Sequence, residues 1–165
     1  MTAPVLVFGY GNPSRGDDAL GPEFVRRLEL RCADAIARGE LEVLTDYQLQ
    51  VEHALDLRDR RAVYFVDASA RGEPVEVRPV TARQDPSFTT HLLSPAALLH
   101  TWTTIEHTAP PPAWTVAIRG QQFALGAPMS AEAERNLTTA LDQLSLSLQS
   151  GERAGVRGGT STNQW

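Results

Sequence analysis

The stretch Val5-Leu6-Val7-Phe8-Gly9-Tyr10-Gly11-Asn12-Pro13-Ser14-Arg15-Gly16-Asp17-Asp18-Ala19-Leu20-Gly21-Pro22 decides the fold. Four consecutive apolar residues, Val5 to Phe8, have the pattern of a short strand buried on both faces. A glycine-rich turn follows, and a helical pattern begins near Ala19. Glycines allow a sharp turn or a close backbone approach. Asn12, Pro13 and Ser14 are turn formers. Strand, loop and helix N-terminus in this order open an α/β sheet, where ligands sit beyond the carboxyl ends of the strands.

Two readings of the loop compete. Gly9-Tyr10-Gly11 begins like a dinucleotide fingerprint, but Ser14 stands where the third glycine belongs, and a lone G-x-G is a weak signal. Asp17 and Asp18 would also repel a pyrophosphate. The other reading makes the paired acids the working groups. Acids at a helix start have a structural use as well, as caps and as partners of the helix dipole. Asp17 fits that use, and two acids in a row leave one for chemistry.

Outward from the loop, strands and helices alternate. A helix is expected from about Ala19 to Arg38, with Leu20, Phe24, Leu28 and Ala35 on its apolar side and Gly39 to stop it. Leu41 to Leu44 reads as an edge strand, Thr45 to Glu52 as a loop, and Val51 to Leu57 as a short helix. Ala62 to Val66 is a strongly apolar strand ending at Asp67, and Pro74 to Val80 is another strand. Ser94-Pro95 opens a helix with proline at its first position, and Trp114 to Ile118 is a strand. The last helix starts at Ser130 and carries Leu137, Leu141, Leu144 and Leu148. These elements predict one α/β domain over residues 1–150 and a disordered tail over residues 151–165, which has no apolar pattern. Alternation of this kind makes a three-layer α/β/α sandwich around a mostly parallel sheet.

Composition narrows the function classes. The chain has 165 residues, 42% hydrophobic and 21% charged, as expected of one globular domain with a single core. A net charge of −5 argues against nucleic acid and anionic membranes as partners. One cysteine, Cys32, leaves no internal disulfide and no multi-cysteine zinc site, and its helical setting makes it a packing residue. No signal-peptide pattern or membrane-length apolar run is visible, so a cytoplasmic protein is expected.

Two further residues join the loop acids as candidates. Asp67 follows the strand Val63 to Val66 and would point into the crevice that Asp17 and Asp18 border. His91 precedes the helix at Ser94-Pro95, where a loop can carry an imidazole over the sheet edge. The other histidines, His53, His100 and His107, have weaker settings. Two carboxylates and an imidazole suit a divalent transition metal and leave coordination positions open. A non-catalytic nucleotide- or metal-binding module remains the alternative, with Asp46 after the second strand as the ribose partner.

The run Gly9-Tyr10-Gly11-Asn12-Pro13-Ser14-Arg15-Gly16-Asp17-Asp18-Ala19-Leu20-Gly21 resembles the N-terminal signature of the hydrogenase maturation endopeptidases. These enzymes remove a C-terminal peptide from the large subunit of [NiFe]-hydrogenase after nickel insertion. The pattern, G-x-G-N, four spacers, Asp, an acid, a small residue and glycine, is met at every defined position, including Gly9, Gly11, Asn12, Asp17 and Gly21. The resemblance spans roughly residues 4 to 150 and implies a twisted sheet of about five strands between helices. It implies that Asp18, Asp67 and His91 are the catalytic and metal-binding trio. The nickel would be that of the substrate precursor, which is the implied partner of a monomeric enzyme. Two departures stand out. The loop acid is often Glu in the family, and Asp18 is one methylene shorter. Where many members have a D-G-G-T-x-G run, this chain has Asp46-Tyr47-Gln48-Leu49-Gln50-Val51-Glu52. Such a Q-L-Q-x-E run resembles enzymes that serve cytoplasmic bidirectional, NAD-linked hydrogenases. Asp46, Gln48, Leu49, Gln50 and Glu52 are accordingly expected to recognise the substrate.

Overall fold

The structure is a computed structural model that describes residues 1–84 and 93–149. Five strands form one sheet: β1 (Val5–Tyr10), β2 (Leu41–Asp46), β3 (Ala62–Ser69), β4 (Val75–Val80) and β5 (Ala113–Arg119). Their order is β2-β1-β3-β5-β4. All neighbours are parallel except β4, which runs antiparallel to β5 at the far edge. The expected mostly parallel α/β sheet is therefore present, and β2 is an edge strand as its alternating pattern implied.

Helices cover both faces. Helices α1 (Leu20–Arg31), α2 (Ala33–Ala37) and α4 (Ala131–Gln149) belong to one side. There Phe24, Leu28, Leu137 and Leu141 bury against Val5, Val7, Tyr64 and Val66. On the other side, α3 (Pro95–Glu106) and a 3-10 helix (Val51–Leu57) pack on each other. Their Leu57, Leu98, Leu99 and Trp102 cover Leu6, Phe8, Val63 and Phe65. The central strands meet helices on both faces, which is why β1 and β3 read as unbroken apolar runs.

Three expectations need correction. The helix foreseen over residues 19–38 is interrupted: α1 ends at Arg31, and Cys32 has non-helical torsions (φ −112°, ψ 28°) before α2 resumes. The break lets the chain bend while Cys32 stays in the core at 1% exposure. Second, β2 extends to Asp46, so Thr45 and Asp46 are paired strand residues rather than loop. Third, β3 runs on to Ser69, so Asp67 lies within the strand, paired with Ala117 of β5. Hydrogen bonding to β5 carries the strand past its apolar run, which periodicity alone does not register. Gly39 does end α2, in left-handed geometry at φ +73°. The expected tail lies outside the described residues.

Candidate active site

Strand order decides where a ligand can bind. From β1 the chain crosses to β2 on one side, and β3 lies on the other, so the order reverses between β1 and β3. At such a switch point the connections diverge and leave a crevice beyond the carboxyl ends. Tyr10 ends β1 there, and Asp67 lies two residues before the end of β3.

Both side chains lie on the same face. Alternation puts Tyr10 with Leu6 and Phe8, and Asp67 with Val63 and Phe65, all on the side covered by α3. The β1–β3 register pairs Gly9 with Val66, and its next step sets Tyr10 beside Asp67. On its other flank Tyr10 pairs with Asp46. A cleft of about 320 Å³ opens there, lined by Tyr10, Gly11, Asp18, Tyr47, Gln48, Leu49, Asp67 and residues 93–95.

Asp18 reaches this cleft from the 3-10 turn Gly16–Ala19 that links the glycine loop to α1. Its Oδ2 accepts a hydrogen bond of 2.7 Å from Asn12 N–H. A Cβ on Gly11 would collide with the Asp18 carbonyl, and Gly11 has φ +148°, so only glycine fits. Gly9 and Gly21 are in equally close backbone contact, which seats α1 tightly on β1. The loop thus closes on its own helix start, and a loop N–H that could hold a phosphate is given to the Asp18 carboxylate.

Asp67 is the electrostatic centre. Its Oδ1 accepts from Ala68 N–H at 2.8 Å. Burial pushes its pKa up from 3.8 to about 7; the Ala68 hydrogen bond opposes this, and the Asp18 charge adds to it. The carboxyl is therefore poised between its two protonation states at neutral pH. Burial first, then the charge of Asp67, raises the Tyr10 phenol far above its usual range, so Tyr10 stays protonated.

Asp17 points elsewhere. It is fully buried, and it accepts from Gln121 N–H (2.7 Å), Gln122 N–H (3.0 Å), Ser130 N–H (2.7 Å) and Ser130 Oγ–H (2.6 Å). Burial works to raise its pKa, but these four hydrogen bonds together hold it below the usual value. Instead of capping its own helix, Asp17 pins the β5–α4 loop and the start of α4 to the glycine loop. The two adjacent acids thus have separate jobs, Asp17 in the scaffold and Asp18 at the cleft.

His91 lies outside the described residues, and among the described residues no group of three or more His, Cys, Asp or Glu could hold a metal ion. Of the expected recognition residues, Gln48 and Leu49 line the cleft, and Asp46 lines an adjoining hollow with Tyr47. Leu49 needs correction: at 2% exposure it is part of the core beneath the cleft, not a side chain presented to a partner. Gln50 is the N-cap of the 3-10 helix, and Glu52 is exposed in its first turn. The residues missed by sequence reasoning are Tyr10 and His53. Tyr10 carried a usable signal, because it is the last residue of the first strand at the loop mouth. His53 carried only its three-residue spacing from Gln50, since its contacts with Asp46 and Phe8 become visible only in three dimensions.

No protein-family model matches the chain, and no curated protein matches it. Solved structures do. The fold is similar to that of HycI, a [NiFe] hydrogenase maturation protease from Thermococcus kodakarensis. That pair shares 18% identity over 89% of this chain and 93% of that one, with a TM-score of 0.67. It is also similar to HybD, a hydrogenase maturating endopeptidase from E. coli, at 22% identity over 92% and 94% of the two chains and a TM-score of 0.65. A hydrogenase 2 maturation peptidase from a Thaumarchaeota archaeon matches at 22% identity, 87% and 97% coverage and a TM-score of 0.57. The chain therefore has the fold of the hydrogenase maturation proteases.

Proposed function

We propose that this protein is an endopeptidase that removes the C-terminal extension of a nickel-loaded [NiFe]-hydrogenase large-subunit precursor. The observation that carries the reading is the meeting of Asp18 and Asp67, 49 residues apart in sequence, in one cleft at the switch point of this fold. The three similar structures named above are all of maturation proteases.

In this reading the nickel arrives with the substrate. Asp18 and Asp67 bind it, with His91 as the third ligand that the sequence resemblance implies. Carboxylates and a neutral imidazole are suitable donors for such an ion. Asn12 N–H orients the Asp18 carboxylate, and partial burial makes Asp67 sensitive to an arriving positive charge. Hydrolysis adds water across the scissile peptide bond, giving a carboxylate and an amine. Water must lose a proton as it attacks, and the departing nitrogen must gain one. A carboxylate at the cleft can take the first and return the second. The chain's cysteine is buried in the core and is not the nucleophile.

The Q-L-Q-x-E run at Gln48–Glu52 supports a substrate of the cytoplasmic bidirectional, NAD-linked type. No helix among the described residues is long and apolar enough to cross a membrane. The alternative of a nucleotide-binding module is disfavoured by the glycine loop, which spends its Asn12 N–H on Asp18.

The test is incubation with nickel-loaded large-subunit precursor, read by mass spectrometry. The expected result is loss of one C-terminal peptide with the wild type and no loss with Asp18→Asn, Asp67→Asn or His91→Ala. Wild-type cleavage by both aspartate variants would refute the assignment.

A further inference from the structure

One imidazole outside the acid pair grips both ends of the cleft wall. His53, in the 3-10 helix, accepts a hydrogen bond at Nδ1 from Gln50 N–H, 2.8 Å away. A ring nitrogen that accepts is unprotonated, so the proton of the neutral ring sits on Nε2. Nε2 faces Asp46 Oδ2 at 3.3 Å. The ring stands edge-on to Phe8, with centroids 4.6 Å apart at 71°, which fixes its plane against the sheet. The grip is reinforced from both anchors. The Gln50 side chain accepts from the backbone N–H of His53, completing a reciprocal cap. Asp46 accepts at Oδ1 from Tyr47 N–H (2.6 Å), and its carbonyl accepts from Gly11 N–H of the glycine loop (3.1 Å).

Between the two anchors lie only Tyr47, Gln48 and Leu49, which line the cleft together with Asp18 and Asp67. Leu49 is sunk in the core, while Tyr47 is 70% exposed and projects beside the opening. Three residues held at both ends, the last of them sunk in the core, have little freedom.

We infer that His53 is a positioning residue for substrate selection: by bridging Asp46 and Gln50 it holds Tyr47 and Gln48 in the shape that the substrate chain meets beside Asp18 and Asp67. This rests on the peptidase reading above. It predicts a separation of effects. Loss of the bridge loosens the wall and weakens substrate binding, while the acids that carry the chemistry stay in place, because Asp18 is held by Asn12 and Asp67 by Ala68.

The experiment compares wild type, His53→Ala and His53→Gln. A glutamine amide offers an acceptor and a donor as the neutral imidazole does, and at this position it makes an ordinary capping box. With nickel-loaded precursor, His53→Ala should raise KM about 10-fold with kcat changed less than about twofold, as loss of the Gln50 hydrogen bond and the Asp46 contact implies. His53→Gln should recover most of the loss. Backbone hydrogen exchange, measured without substrate, should quicken about 10-fold or more at Tyr47 and Gln50 in His53→Ala and slow again in His53→Gln. An unchanged KM in His53→Ala overturns the selection role. If the wild type cleaves no precursor, the peptidase reading fails instead, and exchange alone decides the bridge: unaltered protection at Gln50 overturns it, and the predicted pattern upholds it.

Discussion

Replacing Asp67 by asparagine should make the metal-free protein more stable at alkaline pH. Asp67 sits on a buried face of β3, where ionisation is disfavoured, and its pKa rises from 3.8 to about 7. A shift of that size, at 1.36 kcal/mol per pH unit, corresponds to a cost of about 4 kcal/mol for charging the group in the folded state. Because the side chain is still partly exposed, about 2–4 kcal/mol is the range to expect. The sign follows from proton linkage. Between pH ~4 and ~7 the folded protein holds a proton on Asp67 that the unfolded chain has released, so stability falls as pH rises through this window. Below pH ~4 both states are protonated and the penalty vanishes. Asparagine keeps the shape and keeps an oxygen to accept from Ala68 N–H, but it cannot ionise. Urea unfolding of EDTA-treated wild type and Asp67→Asn should therefore give nearly equal stabilities at about pH 3.5 and a growing advantage for the variant up to pH 8. In melting temperature the advantage at pH 8 is roughly 4–16 °C for a chain of this size. The same variant should be inactive, a conflict between stability and function common at active sites. A variant no more stable than wild type at pH 8, or a gap that does not close by about pH 3.5, would refute the claim that Asp67 is held against its charge.

Other perturbations test the scaffold. Asp17→Ala removes the acceptor of four buried hydrogen bonds and should cost about 3–5 kcal/mol, read by urea unfolding, because it leaves buried donors unpaired. The Asp17 pKa is lowered, so its contribution is present above pH ~4 and is lost as pH falls through the folded value, steepening acid unfolding in the wild type relative to Asp17→Ala. Gly21→Ala would drive a Cβ into the Tyr10 backbone and should destabilise by about 3 kcal/mol, visible as a lower melting temperature. Leu49→Ala should cost about 2–5 kcal/mol of stability as a core truncation, whereas Gln48→Ala should leave stability within about 0.5 kcal/mol and change only precursor cleavage.

The sequence by itself determined the sheet-forming segments, the loop and the pair of acids worth attention. Val5 to Phe8 and Ala62 to Val66 are apolar without interruption because parallel strands in a sandwich meet helices on both faces, and that requirement is written in consecutive residues. Gly9, Gly11 and Gly21 are legible for a similar reason, since backbone contacts this close exclude any Cβ. Tertiary structure decided what depends on distant partners. Asp17 and Asp18 are chemically identical neighbours, and only the packing of the β5–α4 loop makes one a buried anchor and the other a cleft residue. Asp67 gains its perturbed acidity from burial beside Tyr10 and Asp18, which come from another strand and another loop. Leu49 reads as a partner contact in an exposed run, yet the approach of the 3-10 helix to β1 draws it into the core. His53 stands three residues after Gln50, the spacing of a reciprocal cap, but that spacing does not reveal its further contacts. Its role arises because Asp46 and Phe8 converge on the same ring, and that convergence is a property of the folded chain, not of any local spacing.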